Sequence, residues 1–438
     1  MKELSGHDMR ALELGVSENA LKDVPPLEVD PRRGLDELRL LQWNILAHGY
    51  SDDGFLVPEI IGEAQGDAGV GFESTLRSVE EATASGADMT SLKARLSTPH
   101  AAANHAAVVD WARRWLRMKE TIALCDPDII ALQEVDRMAE IKADLEAAGY
   151  SCSHAGKTYI PAHRAGITHG DLSQYLAHLH EGGVAFAPTF PSKCRELAVR
   201  TNPEADDMGC ALFWRERTLA VESISFFPLA TSGSKSLSAA VRVTLRARTN
   251  GRLLHVICTH LKSGDNEEAA RMRQLTGVES AEVRLAPAAE QGASPTFLEW
   301  VRESAQEAAT ILSLDANSVP NRPEGEAATV WRSLRGLPGA SSVWDGFFCA
   351  DGSRASDEAP LVATTNKMRG PLSRQPEKIG QHAFGVIDHV FFWPPFSSAT
   401  HAIDPIRFPT LADARRYLLP SLAMPSDHMP VLVDLSLA

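Results

Sequence analysis

The first chemistry this sequence offers lies in polar residues that interrupt otherwise apolar runs. Asn44 closes LLQWNIL, Glu134 closes IIALQEV, and His260 with Lys262 closes HVICTHLK. Asp315 and Asn317 close ILSLDAN, Asp388 interrupts GVIDHVFFW, and Asp427 with His428 precedes MPVLVDL. A carboxylate in an apolar run is costly to bury without a partner. One alone is most simply solvated or salt-bridged. Several at successive strand ends converge on one rim of a sheet, where α/β proteins commonly bind ligands. Carboxylates with Asn amides and no thiolate favour a hard cation, Mg²⁺ with Mn²⁺ as a substitute. The imidazoles would also suit zinc, but no HxxxH or HExxH spacing supports a zinc helix. Such a donor set suits polarisation of a phosphoryl oxygen while an activated water attacks in line.

The elements that must position these residues read as alternating helices and strands. LRLLQWNIL is strand-like, DWARRWLRMKETIALCD has helical spacing, and PDIIALQEV is a second buried strand. MAEIKADLEAAGY is an amphipathic helix with Gly149 at its C-cap. Further strands are predicted at 210–214, 239–248, 253–261, 308–317, 386–393 and 429–437, with helices over 267–283 and in the stretch before 308. The outline is an α/β sandwich. Residues 1–37 read as a tail or linker containing DVPPLEVDPRRG, and 38–438 as one catalytic domain. Insertions are expected near 51–105, 151–185 and 276–305. The stretch TTNKMRGPLSRQPEK reads as a polar, basic loop that could reach substrate through Lys367 or Arg369. By strand alternation Trp43, Trp393 and His389 should turn away from the site, and Trp214 should pack.

Composition narrows the partners. The net charge of −14 disfavours binding nucleic acid along an extended basic track, so positive charge must be concentrated locally by a cation and a few Lys/Arg. The six cysteines form no CxxC pair, and Cys258 lies in an apolar run, as reduced core thiols do. The N-terminal stretch has no apolar signal core, and no run reaches the length of a membrane span. An intracellular, cytoplasmic location is the expectation.

The ordered blocks QWNIL, DIIALQEVD, THLK, LDAN, IDHVFF and PSDHMPV resemble the endonuclease/exonuclease/phosphatase superfamily. WNILA, LQEVD, GCALFW, THLK followed by RMRQ, and LPSLAMPSDH are similar to its deadenylase branch of Nocturnin, Angel and the carbon-catabolite-repressor exoribonucleases. The resemblance implies a deoxyribonuclease-like fold, a four-layer α/β sandwich with two central mixed β-sheets. It implies metal ligation by Glu134, Asn44 and Asp427. Asp315 would activate water, Asn317 would hold water or phosphate, and His260 and His428 would contact phosphate, with Asp388 polarising His428. Lys262, Lys193, Lys367 and Arg369 are the candidate substrate contacts. Departures from the branch fall at Thr189, Met208, Gly264 and Ala423, all on the substrate side. The implied function is a 3′→5′ exoribonuclease acting on an RNA 3′ end; the alternatives are a phosphatase of a small nucleotide such as NADP(H) and a non-catalytic adaptor. No docking repeat is evident, so a monomer is expected.

Overall fold

The computed structural model describes residues 28–31, 37–51, 54–57, 72–90, 93–94, 108–156, 208–229, 238–264, 266–277, 295–321, 329–356, 358–373 and 375–437. Two six-stranded sheets carry the fold. The first has the order β14-β16-β1-β2-β4-β3, and the second β5-β6-β7-β8-β13-β9. In the first, β1 (Glu37–Asn44) pairs in parallel with β2 (Ile129–Val135). Around them lie β3 (Tyr150–Gly156), β4 (Gly209–Arg215), β14 (Phe396–His401) and β16 (Val431–Leu437). In the second, β7 (Leu253–His260) pairs in parallel with β8 (Ala309–Asp315). Its other strands are β5 (Leu219–Leu229), β6 (Ser238–Ala247), β9 (Ser341–Ser342) and β13 (Asp388–Phe392). Two ribbons, β10 (Leu361–Val362) with β15 (Arg407–Phe408) and β11 (Thr365–Met368) with β12 (His382–Gly385), stand apart from the sheets.

The layering follows from side-chain alternation. Leu38, Leu40, Ile129 and Ala131 turn inward and pack against Val256, Cys258 and Val390 of the opposite sheet. Leu41, Trp43, Ile130 and Leu132 turn outward onto α2 (Trp111–Cys125) and α3 (Met138–Ala147). On the far side, α4 (Glu268–Thr276), α5 (Phe297–Glu307) and α6 (Val330–Arg335) cover the second sheet through Leu275, Phe297, Trp300 and Trp331. Helix, sheet, sheet and helix give the four-layer mixed α/β sandwich expected from the resemblance. A capping box of Thr296 and Glu299 starts α5, satisfying two N-terminal amide donors.

Several local expectations need correction. The stretch 51–105 holds a helix, α1 (Phe72–Ser85). Only Thr365–Met368 of the segment read as a basic loop forms a strand, β11, because antiparallel pairing with β12 takes its backbone groups. The edge strand β5 escapes a periodicity reading, since its charged and polar residues interrupt the apolar pattern. No helix among the described residues is long and apolar enough to cross a membrane.

One buried ion pair fastens β1 to β16. Arg39 Nε and Nη2 each donate to Asp434 at 2.7 Å, with both side chains almost fully enclosed. Losing one partner strands the other charge out of water, which costs about 3–5 kcal/mol. Chemical denaturation of Arg39→Ala should therefore show a loss of about that size; an unchanged midpoint would mean the pair is solvated.

Candidate active site

The parallel pairs explain why the polar strand ends meet. In β1–β2, Asn44 is in register with Gln133; in β7–β8, His260 is in register with Asp315. The antiparallel neighbour β13 begins at Asp388, opposite Asp315. All these ends therefore open on one edge of the sandwich.

Asp315 is the hub. Its Oδ1 accepts the Asn317 N–H at 2.9 Å, and its Oδ2 accepts Asn44 Nδ2 at 2.8 Å. His260 Nε2 lies 3.3 Å from the same Oδ2 and 2.8 Å from Asn317 Nδ2. His428 Nε2 stands 3.9 Å away, too far for a direct hydrogen bond.

His428 is set by a chain of partners behind it. Its Nδ1 donates to Asp388 Oδ2 at 2.8 Å, while Gln42 Nε2 donates to Asp388 Oδ1 at 2.9 Å. The Asp388 N–H donates to Thr364 Oγ1 at 3.1 Å. Burial by itself would lower the His428 pKa, but the carboxylates of Asp388, Asp427 and Asp315 outweigh it and raise it to about 9. Burial likewise opposes ionisation of Asp388, yet His428 and the hydrogen bonds of Thr364 and Gln42 hold its pKa below the usual range. The imidazole is thus a stabilised cation. Trp43 Nε1 donates to the His428 carbonyl at 2.8 Å, so this core tryptophan also steadies the loop.

Glu134 reaches the site by a break in the pleat. Alternation would turn it outward with Ile130 and Leu132 onto α2. Instead, the β2–β4 pairing shifts register between Leu132 and Val135, and Glu134 adopts φ +58°. Leu46 (φ +54°) and Asn317 (φ +49°) share this left-handed conformation, and all three line the same cleft. Side-chain residues adopt it at a cost of about 1–2 kcal/mol each, which the surrounding packing must sustain. Arg114, buried in α2, holds the first of these turns: Nε donates to Pro425 O at 2.6 Å, and Nη2 to Leu46 O at 2.6 Å and to Ile45 O. Burial lowers its pKa to about 10, against the opposing pull of Asp427, Asp136 and Glu134.

The donor set fits a hard cation. Glu134, Asn44 and Asp427 carry oxygens of the kind such a cation takes. Glu134 Oε2 is steadied by the Ala47 N–H at 3.0 Å. Asp427 Oδ1 is buried with no hydrogen-bond partner among the described residues, while Lys367 Nζ binds Oδ2. Burial alone would raise the Asp427 pKa, but Lys367, His428 and Arg369 hold it well below the carboxylate range. Asp315, Asp388 and His428 also bring ligand-type atoms within 4.8 Å of one another. Their mutual hydrogen bond already engages Asp388 and the Nδ1 of His428, so we assign that cluster to positioning the imidazole.

The cleft encloses ≈ 520 Å³. Lys262, Lys367 and Arg369 line it, as do Met208 and Gly264; Lys193 and Thr189 lie outside the described residues. Ala423 is exposed and absent from the lining. His389 is buried and structural, its Nε2 lying 3.0 Å from the Ser318 carbonyl. Gln42, Thr364 and Arg114 escape the sequence reading. Only Gln42 carried a signal, lying two residues before Asn44 and so on the same strand face.

The sequence resembles the endonuclease/exonuclease/phosphatase superfamily near its Nocturnin/Angel branch. The chain is 23% identical over 405 residues to Nocturnin of Drosophila melanogaster, covering 92% of this chain and 47% of that protein. It thus spans about half the length of the curated relative it matches. Among solved structures, it is similar to the human Nocturnin catalytic domain with bound sulfate anion, at 16% identity and TM-score 0.48, covering 94% of this chain and 96% of that one. It is also similar to ANGEL2, a 2′,3′-cyclic phosphatase, in complex with adenosine-2′,3′-vanadate, at 14% identity and TM-score 0.49, covering 92% and 97%. No family model matches the chain.

His382, on the cleft wall, lies 2.7 Å through Nε2 from Asn366 Oδ1, and its Nδ1 is buried without a hydrogen-bond partner among the described residues. Burial, with Arg415 nearby, lowers its pKa from 6.5 to about 4. A depressed folded-state pKa contributes stability that is present above about 6.5 and lost as pH falls towards 4. His382→Gln should flatten that part of the acid limb in denaturation curves recorded between those pH values; an identical slope would assign the limb to other groups.

Proposed function

We propose that this protein is a Mg²⁺-dependent phosphoesterase hydrolysing a phosphate ester by in-line attack of water, and that it acts as a 3′→5′ exoribonuclease. The observation that carries the phosphoesterase reading is the 3.9 Å gap between Asp315 Oδ2 and His428 Nε2. It separates a fixed carboxylate from a cationic imidazole, as activation of a water beside a phosphoryl oxygen requires. Glu134, Asn44 and Asp427 would hold the metal ion, whose charge would polarise the phosphoryl group. Asp315 accepts the proton of the attacking water, and Asn44 with the Asn317 N–H fixes the carboxylate for that role. His260 and Asn317 hold the water or an equatorial oxygen. Protonated His428 donates from Nε2 to a non-bridging oxygen, with Asp388 keeping Nδ1 occupied.

A phosphatase acting on a small nucleotide is the second reading. The ≈ 520 Å³ cleft is of the size that encloses a single drug-sized ligand, and the net charge of −14 opposes a long polyanion. Both readings use the same catalytic groups. Keeping all of them also speaks against a non-catalytic adaptor.

Purified protein with Mg²⁺ should be incubated with labelled poly(A), NADP⁺ and a panel of lipid and inositol phosphates. Whatever turnover is found should fall at least about 100-fold in Glu134→Ala and in His428→Ala, and disappear in chelator. Wild-type rates in either variant, or full activity with chelator, would sink the mechanism. Asp388→Asn acts only through His428 and should cost about 10–100-fold in kcat. Its circular dichroism spectrum should match the wild type; equal kcat would deny the pair its role.

A further inference from the structure

The stretch RMRQ that follows THLK supplies no residue to the cleft lining. Its Arg271 and Gln274 are buried on α4, together with Glu268 one turn earlier. Arg271 Nε donates to Glu268 Oε2 at 2.8 Å, and its Nη1 donates to the carbonyls of Lys262 and Gly264, each at 2.8 Å. Gln274 Oε1 accepts the Lys262 N–H at 2.8 Å. The other oxygen of Glu268 accepts the buried Ser318 hydroxyl at 2.8 Å and the Val330 N–H at 2.9 Å. One buried ion pair therefore joins the loop after His260 to the loop after Asn317. Gly264, among the departures from the deadenylase branch, has φ +117°, a conformation that favours glycine. Here that position serves a turn whose carbonyl is held from α4.

The same two loops are joined a second time, on the cleft side. Asn317 Nδ2 donates to the Leu261 carbonyl at 3.2 Å and lies 2.8 Å from His260 Nε2. To hold water or a phosphoryl oxygen, Asn317 and His260 must give up part of this mutual contact. The cleft-side bridge then loosens, while Asn317 still carries the cost of its left-handed backbone. The buried bridge is the one that stays made. A buried ion pair is often no more stabilising than well-packed apolar residues of its size, so stability alone does not explain this one. We infer that Glu268 and Arg271 are positioning residues that hold His260 and Asn317 at their working separation while those two exchange partners with substrate. The effect on turnover rests on the phosphoesterase reading of the cleft; the placement of the His260 ring can be measured without it.

The test uses the full chain with isotope-labelled histidine, and the double variant Glu268→Gln/Arg271→Met, which leaves neither charge buried alone. The His260 ring signal is identified by its loss in His260→Gln. In the double variant that signal should shift or broaden, while the signal of His401, packed on Trp344, stays in place. Arg271→Lys, which keeps a cation beside Glu268, should restore much of the wild-type position. On whichever substrate is turned over, kcat of the double variant should fall about 10–100-fold, as small misplacements do. KM should stay within about threefold, because Gln274 still holds the Lys262 backbone. Should the double variant fail to fold, Ser318→Ala, which cuts only the tie to the Asn317 loop, is read by the same signals. An unmoved His260 signal in a folded variant, or a moved signal with unchanged kcat, would overturn the inference. A moved signal in a protein that hydrolyses none of the substrates would sink the phosphoesterase reading and uphold the positioning.

Discussion

Holding several carboxylates in a space nearly closed to water is the constraint on which the rest of this structure depends. Asp315, Asp388 and Asp427 are each almost fully enclosed, and left alone they would repel one another and protonate. Cations and directed donors make their ionised forms tenable. His428 answers Asp388, Lys367 answers Asp427, and Asn44 with the Asn317 N–H answers Asp315. The raised pKa of His428 and the depressed pKa values of Asp388 and Asp427 are two sides of this single electrostatic balance.

The scaffold serves that balance through topology and local strain. Parallel pairing places two strand ends side by side in each sheet, and apposition of the sheets brings the four ends to one edge. Regular strands alone would not complete the site. The left-handed residues Leu46, Glu134 and Asn317 turn the chain where the pleat would carry it elsewhere, and Arg114 ties the Leu46 turn to the Pro425 carbonyl from within α2. Removing water from around Arg114 weakens its hold on its proton, so a core cation becomes part of the support for a surface cleft.

Elements with strong apolar patterns are legible in the sequence. β1, β2, β7, β8 and α2 fall where the sequence patterns place them, because each buries a wide apolar face. Those with mixed patterns are not. β5 lies at a sheet edge, where one side needs no partner and polar residues are tolerated. The TTNKMRG segment looks like a solvated loop until β12 pairs with it and Lys367 meets Asp427. Its charge was a local fact of sequence; its partner, 60 residues away, was not.

By itself the sequence determined the chemical inventory. Carboxylates, amides and imidazoles at the ends of apolar runs are fixed by composition and by the cost of burying charge, and both can be read along one dimension. The directions of those side chains belonged to the tertiary structure. Period-two alternation points Glu134 at the helices, and only the register shift against β4 re-aims it into the cleft. The pairing of Asp388 with His428 and the gap before Asp315 likewise depend on strands and turns distant in sequence. Hydrogen bonds and ion pairs act over a few ångströms, so they are decided only when the chain has closed on itself.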